Sequence, residues 1–464
     1  MVINTDRCIA LQMAGINFNH SYRKSRYEQV LSVLHSSNPS LSFPHLFKNQ
    51  HELKAFYRLI NNPNVSHDTF ITGYQSGLVQ YSKEQSDPSA WILVQDTMLT
   101  DFNSRNLDFG YTQTPQSNGF LLHHGLLLDA SFTPIGLLHQ EVIYRERSEF
   151  GKAKLFRQKG IEEKESNKWL TGVKTGIEFS KSTGRDLIHV MDREADIVEL
   201  INLCQSSNQY FIIRARHDRS TLTHTERAKE EALEKYRLFK IMRTIENSST
   251  IKRKLRDNKG KQYEAACNLA YRAFEFRGVN QAVNCVWVKE KDAGAEKDVA
   301  EWFLLTNLPI HSDSEAERIA EIYSKRWIVE DYHKCYKTGC SIEKRQFDSR
   351  KTMTTSIALL ALTALKLLRS RYLAQQHQQT PIENILTDKT EQKLAAQLAQ
   401  KYLKPIDSQL CKPNTALWWL LLLGRMGGHQ GMKQKGLPGW QTIWKGYAHF
   451  QTLLEGFKFS LNSS

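Results

Sequence analysis

Residues 319 to 338 read IAEIYSKRWIVEDYHKCYKT, and their periodicity predicts a helix. At roughly 100° per residue, Tyr323, Arg326, Glu330, Lys334 and Lys337 fall within an arc of roughly 80°, while Ile322, Ile328, Val329, Tyr332 and Tyr336 populate the other side. One face is chemical and the other packs. A solvated surface helix accounts for the same charges, because Glu330 and Lys334 make an ordinary i,i+4 pair. Two upstream aspartates turn the reading toward chemistry. Asp96 closes WILVQD (91 to 96) and Asp192 closes DLIHVMD (186 to 192), each where a buried strand is expected to end. Carboxylates at two strand tips and a third on a later helix can converge on a pair of divalent metals. Hard oxygen ligands suit Mg²⁺ or Mn²⁺, and two such ions stabilise the attacking and leaving oxygens of a phosphodiester displacement.

The spacing Tyr323-x2-Arg326-x3-Glu330-x6-Lys337 resembles the YREK signature of bacterial DDE cut-and-paste transposases, the group of the transposon five transposase within the insertion sequence four family. Further blocks resemble the same group, in the same order: Phe56-Tyr57-Arg58-Leu59-Ile60 with Asn62-Pro63-Asn64-Val65, Gly136 to Glu141, Lys164-Glu165-Ser166-x-Lys168-Trp169-Leu170, and Asp192-Arg193-Glu194-Ala195-Asp196. The resemblance covers nearly the whole chain. Met98 departs from it, standing where a second hydroxyl residue is common, and the segment before Gly15 does not align clearly.

Size and composition set the outer bounds. A chain of 464 residues predicts two or three domains. The formal net charge of +14 and pI near 9.3 point to a polyanionic partner, nucleic acid first. The apolar runs at 358 to 368 and 416 to 424 are too short or too interrupted to span a bilayer and read as buried helices. No secretory signal is evident, so a cytoplasmic, nucleoid-associated protein with no membrane partner is expected. Seven scattered cysteines do not form a disulfide framework, and Cys335 and Cys340 lack a second pair at zinc spacing. Without a Gly-rich phosphate loop there is no reason to invoke a nucleotide cofactor.

Along the chain, residues 1–70 read as short helices with basic and aromatic entries. Their basic residues suit a solvated cap equally well; the resemblance implies a domain that binds terminal inverted repeats. Residues 71–350 carry strands at 91 to 96, 119 to 130 and 134 to 145, a helix around Trp169, the Asp192 strand, a helix, and a strand at 209 to 216. That order is the ribonuclease-H-like (retroviral-integrase-like) plan, an α/β fold in which the first strand is central and the fourth lies beside it. Asp96 and Asp192 are then side by side, with the Glu330 helix crossing above. The long interval before Glu330 implies an insertion, read as β-rich over about 217–300 and including the basic run Lys252 to Arg256 and the turn Asp257 to Gly260. Residues 351–464 read as helices, which an intramolecular core explains; the resemblance implies a dimerisation domain, and thus a homodimer in a synaptic complex.

The resemblance also assigns roles. Asp96, Asp192 and Glu330 become the catalytic, metal-binding acids, with two Mg²⁺ (or Mn²⁺) ions per site. Tyr323, Arg326, Lys334, Lys337 and Arg214 become DNA phosphate contacts, and Trp302 a stacking platform for a base turned out of double-stranded DNA. The implied enzyme is a DNA transposase acting on transposon ends and target DNA. Two other readings are a catalytically silent DNA-binding regulator and a ribonuclease-H-like nuclease that only hydrolyses. Of the remaining acids, Asp196 is expected to cap a helix and Glu194 to support the site from behind.

Overall fold

The β-branched and leucine-rich segments around the two aspartates assemble into one sheet of nine strands in the computed structural model, which describes residues 7–18, 20–47, 49–103, 107–152, 159–221, 236–256, 262–291, 299–386, 388–431 and 436–463. Four helices come first: α1 (Arg7–Ala14), α2 (Ser21–Ser36), α3 (Phe43–Leu46) and α4 (Gln50–Ile60). A fifth, α5 (His67–Lys83), starts at a Ser66–Thr69 capping box, in which each side chain bonds the other residue's backbone N–H.

Three antiparallel strands follow, β1 (Trp91–Leu99), β2 (Leu121–Leu128) and β3 (Pro134–Ile143). Helix α6 (Asn167–Thr183) leads to β4 (Leu187–Met191), which pairs in parallel with β1. Helix α7 (Val198–Ser206) then leads to β5 (Tyr210–Arg214), parallel to β4. This is the expected five-stranded plan, with β1 central and β4 beside it.

The insertion does not stand apart from that sheet; it extends it. Helix α8 (Leu238–Thr244), which the sequence pattern did not suggest, precedes β6 (Ser249–Arg256), β7 (Gln262–Phe274), β8 (Val283–Glu290) and β9 (Glu301–Thr306). The full order is β3-β2-β1-β4-β5-β9-β8-β7-β6, so β9 is the seam through which the antiparallel extension joins the core at β5. The basic run from Lys252 lies on the edge strand β6, not on a hairpin tip. The turn residues Asp257 to Gly260, and the side chains of Lys254 and Arg256, lie outside the described residues.

Both faces of the sheet are covered. Ile92, Val94, Leu122, Val190 and Ile212 point into one apolar cluster shared with Tyr332, Tyr336 and residues 353–368; Met191, Phe211 and Ile213 point the other way, against Trp169, Val173 and Leu200. The first cover includes α9 (Asp313–Ser324), α10 (Trp327–Lys334), and α11 (Arg350–Gln376), which packs on α5 and β3. Helix α11 is long and apolar enough to cross a membrane, but 83% of its most apolar window is buried within the protein. Helix α12 (Lys389–Tyr402) is followed by the short α13 (Pro405–Ser408), α14 (Ala416–Met426) and α15 (Trp440–Ser463); α12, α14 and α15 form a further core around Trp419 and Phe450. All seven cysteines are free and buried.

Candidate active site

The stretch 319–338 is not one helix. Helix α9 ends at Ser324, Lys325 and Arg326 form a tight turn, α10 starts at Trp327, and residues Cys335–Gly339 widen into a π turn. Arg326 N–H bonds back to the carbonyl of Tyr323 at 3.0 Å, a three-residue span that overwinds the chain at that point. The packing side of the stretch nevertheless sits inward as expected, with Ile322, Ile328, Val329, Tyr332 and Tyr336 all buried; Tyr323, placed on the chemical face, is buried too.

From the start of α10, Arg326 reaches one carboxylate on β1 and one in the first turn of α10. Strand β1 runs on to Leu99, because pairing with β2 continues past Asp96, so Asp96 lies inside its strand and not at the expected tip, whereas Asp192 does follow the end of β4. Its Nη1 donates to Asp96 Oδ2 at 2.9 Å and its Nη2 to Glu330 Oε1 at 2.6 Å. Asp96 Oδ1 accepts from Thr97 N–H at 2.8 Å. Asp192 follows the last residue of β4 and accepts from Glu194 N–H at 2.8 Å, opening a short 3-10 turn. Because β1 and β4 are parallel neighbours, both aspartates lie at the same end of the sheet.

Charge crowding marks the site. Burial, with repulsion from neighbouring carboxylates, raises the Asp96, Asp192 and Glu330 carboxyls above their ordinary values even though Arg326 opposes this. Burial alone would lower the Arg326 pKa, but Asp96, Tyr323, Glu330 and Asp192 more than offset it and the net shift is upward. Glu194 adds to the repulsion at both aspartates while pairing with the buried Lys168 at 3.3 Å. Among the described residues, no three acidic, imidazole or thiol groups already stand as a metal-ligating cluster. The donor set nonetheless suits a hard divalent cation: Asp96 and Glu330 share one guanidinium and the Asp192 carboxylate stands near them, so negative charge is left in excess.

The remaining site residues form two groups. Tyr323 feels the positive charges of Arg326 and Arg214, which lower its pKa, but burial dominates and the net shift is upward. Arg214 donates to the Glu301 carbonyl at 2.9 Å. Trp302 lies edge-on to Tyr323, with ring centroids 5.3 Å apart, and only 9% of its surface is exposed. This is a core position behind Tyr323. Lys334 and Lys337 lie further out, each engaged by a carboxylate of its own chain: Lys334 with Asp331 at 3.1 Å and Lys337 with Glu343 at 3.0 Å.

Asp196 is not a helix cap. It is 3% exposed, accepts from the backbone N–H groups of Arg216 and His217 at 2.8 and 2.9 Å, and pairs with Arg219, so it shapes the loop after β5. The residue capping α7 is instead Ile197, which offers no side-chain hydrogen bond.

Sequence reasoning missed a polar ladder on the opposite sheet face, directly behind Asp96. Thr97 bonds His123 Nδ1 at 3.0 Å, His123 Nε2 bonds Gln95 Oε1 at 3.1 Å, Gln95 Nε2 bonds His189 Nδ1 at 3.4 Å, and His189 Nε2 bonds Gln209 Oε1 at 3.3 Å. Burial depresses both imidazoles, His189 to about 4, so they are neutral and one tautomer set satisfies every link. The ladder ties β2, β1 and β4 together at the level of the aspartates. Helix α6 lies flush on it, because a Cβ at Gly172 would run into Gln95 and one at Gly176 into His189. The one available signal was paired polar residues, His123-His124 and Gln95 with Thr97, in strands otherwise apolar.

Comparison with known families agrees with this geometry. Residues 7–65 match the family described as transposase DNA-binding, and residues 164–366 match the transposase DDE domain. The second match includes Asp192, Arg214, Trp302 and the whole stretch from Tyr323 to Lys337; Asp96 precedes it and enters the site through its bond to Arg326. The chain therefore carries a region matching the transposase DNA-binding family followed by one matching the transposase DDE domain, an order that supports a DDE transposase.

Proposed function

We propose that this DNA transposase binds terminal inverted repeats, frees its element through a nick and a hairpin, and joins the 3′ ends to target DNA. The carrying observation is the meeting of Asp96, Glu330 and Arg326, with Asp192 at the same end of the sheet. DDE transposase domains generally use divalent metal ions; here Asp96, Asp192 and Glu330 would hold two Mg²⁺ or Mn²⁺ ions. Such ions supply neutralising charge and a lowered pKa for the attacking water or 3′-hydroxyl.

The protein's own groups do the rest. Arg326 holds Asp96 and Glu330 together in the absence of other cations and is free to take a phosphate once the acids are otherwise neutralised. Arg214 and Tyr323 extend that cationic surface, and Lys334 and Lys337 exchange their carboxylate partners for DNA phosphates. Trp302 would stack on an unpaired base after Tyr323 moves. Exposed Phe459 and Leu461, at the end of α15, support a C-terminal homodimer contact. The place of action is the bacterial cytoplasm, on the nucleoid.

Incubating purified protein with DNA carrying the element's ends and Mg²⁺ or Mn²⁺ tests this reading on denaturing gels. Hairpin-ended and joined products that vanish with Glu330→Ala are expected. Nicks without hairpins or joining would indicate a hydrolytic nuclease, and end binding without any cleavage would indicate a silent regulator.

A further inference from the structure

Two ties hold α10 to the strands beneath it, at opposite ends of the turn that carries Glu330. The first is Arg326, four residues before Glu330, bonded to Asp96 on β1. The second is His333, three residues after Glu330, whose Nε2 lies 3.1 Å from His124 Nδ1 on β2. His124 is the cross-strand partner of Asp96, so the two side chains stand side by side on one sheet face. The histidine tie therefore spans the same strand-to-helix gap that separates Asp96 from Glu330.

The orientation of the Gln140 amide sets the direction of the links. Gln140 Nε2 can only donate, and it meets His124 Nε2 at 2.9 Å. His124 then carries its proton on Nδ1 and donates to His333 Nε2. His67 Nε2 completes the chain by meeting Gln140 Oε1 at 3.1 Å. His124 is fully buried and His333 is 9% exposed. The rings of Tyr332 and Tyr336 flank His124, with centroids 5.2 and 5.7 Å away. Burial, reinforced by Lys337, Arg326 and Lys334, depresses His333 to about 3, so this tie is neutral.

The two ties respond differently to substrate. Arg326 is a cation among carboxylates and changes partner when phosphate or a divalent cation arrives. The histidine link carries no charge and is closed to solvent, so it stays while the other is released. We propose that His124 and His333 are positioning residues of the catalytic centre, whose ring-to-ring hydrogen bond sets the spacing of Glu330 from Asp96 at which divalent cations are held. This rests on reading those two acids as metal ligands.

The test uses full-length protein and compares His333→Leu, which removes the acceptor, with His333→Gln, whose Oε1 can accept in place of Nε2. Free Mn²⁺ is followed by electron paramagnetic resonance as metal-free protein is titrated, and end cleavage is measured alongside. His333→Leu is expected to weaken Mn²⁺ binding and cleavage by about 10- to 100-fold, the usual range for residues supporting a metal ligand. End binding in EDTA should be unchanged, and His333→Gln should recover most of both losses. Native Mn²⁺ affinity in His333→Leu, or equal losses in the two variants, would overturn the proposal. Should His333→Leu fail to fold, His124→Asn replaces it: asparagine keeps a donor near the Nδ1 position, so near-native Mn²⁺ binding is expected and a tenfold loss overturns the proposal. Glu330→Gln separates the two readings. If it leaves Mn²⁺ binding intact, the metal assignment and the positioning role both fall; if it weakens binding while His333→Leu does not, only the positioning role falls.

Discussion

The two halves of the nine-stranded sheet are stabilised by different means. Strands β1, β2 and β4 bury Gln95, His123, His124 and His189 beside the carboxylates of Asp96, Asp192 and Glu330, each imidazole or amide held by named partners on neighbouring strands and helices. Strands β6 to β9 rely mainly on apolar burial. Leu269, Val286, Val288 and Leu304 fill one face, and Cys285, Trp287, Phe303 and Leu305 the other, while Glu264 and Arg272 on β7 face solvent. Buried hydrogen bonds are directional and costly to leave unmade, whereas apolar contacts tolerate small shifts. The site half is thus the part where a side chain's position is specified, and the extension is the part where only its volume is.

The largest expected effect breaks the site half at its acids. Replacing Asp96, Asp192 or Glu330 with alanine should lower end cleavage on the order of 10³-fold or more, the scale of several kcal/mol of lost charge stabilisation. Gel shifts in EDTA should show unchanged end binding. Arg272→Ala, on the outer face of β7, is the matched control and should leave the cleavage rate unchanged. A loss comparable to that of the acid variants would mean that the extension takes part in chemistry.

A second pair sharpens the contrast between position and volume. Leu269→Ala removes a fully buried side chain from β7 and should cost about 2–4 kcal/mol of stability, with the cleavage rate per folded molecule retained. Gly172→Ala adds one methyl against Gln95, where the helix lies flush on the ladder, and should cost about 1–3 kcal/mol. Although the smaller change in stability, it should slow cleavage more. Equal rates in the two variants, measured after correcting for folded fraction by thermal melts, would show that the ladder does not position the aspartates.

The same division explains what the sequence could and could not reveal. Alternation located β1 to β5, although β1 runs past Asp96 to Leu99, and the spacing from Tyr323 to Lys337 located Arg326 beside Glu330 but not the partners of Lys334 and Lys337, which are Asp331 and Glu343. The kink at Lys325 and Arg326 escaped, because helical periodicity is nearly unchanged by one overwound turn; Arg326, whose guanidinium bonds Asp96, sits at that kink. Asp196 looked like a cap from its place before α7, and only the fold shows the N–H groups of Arg216 and His217 arriving from beyond β5. The continuation of the core sheet into β9 to β6 was equally hidden, since strand propensity does not name a strand's neighbour. Likewise, the bonds of His124 and His333 join residues 209 apart in the chain, which no local pattern encodes.

The smallest expected effect concerns charge without metal. Burial, then repulsion from Asp96, raises the Asp192 carboxyl above its ordinary value. A carboxyl with a raised folded-state pKa favours the fold while protonated, and that advantage is lost as pH rises from its unfolded value, about 4, through the raised one. Asp192→Asn has no such charge to bury. The metal-free variant should therefore melt above the natural protein at neutral pH, by about 1–2 °C for a chain of this size. The gap should close as pH falls toward 4, where the natural carboxyl is protonated. Adding Mg²⁺ at neutral pH should raise the melting temperature of the natural protein more than that of Asp192→Asn, because the ion relieves a repulsion that the variant lacks. Differential scanning fluorimetry across pH, with and without Mg²⁺, measures both differences. A gap independent of pH would place Asp192 outside the crowded charge cluster, and an equal Mg²⁺ response would remove it from the metal site; either result would leave Asp96 and Glu330 alone with Arg326, an arrangement explained by its ion pairs without any catalytic role for β4.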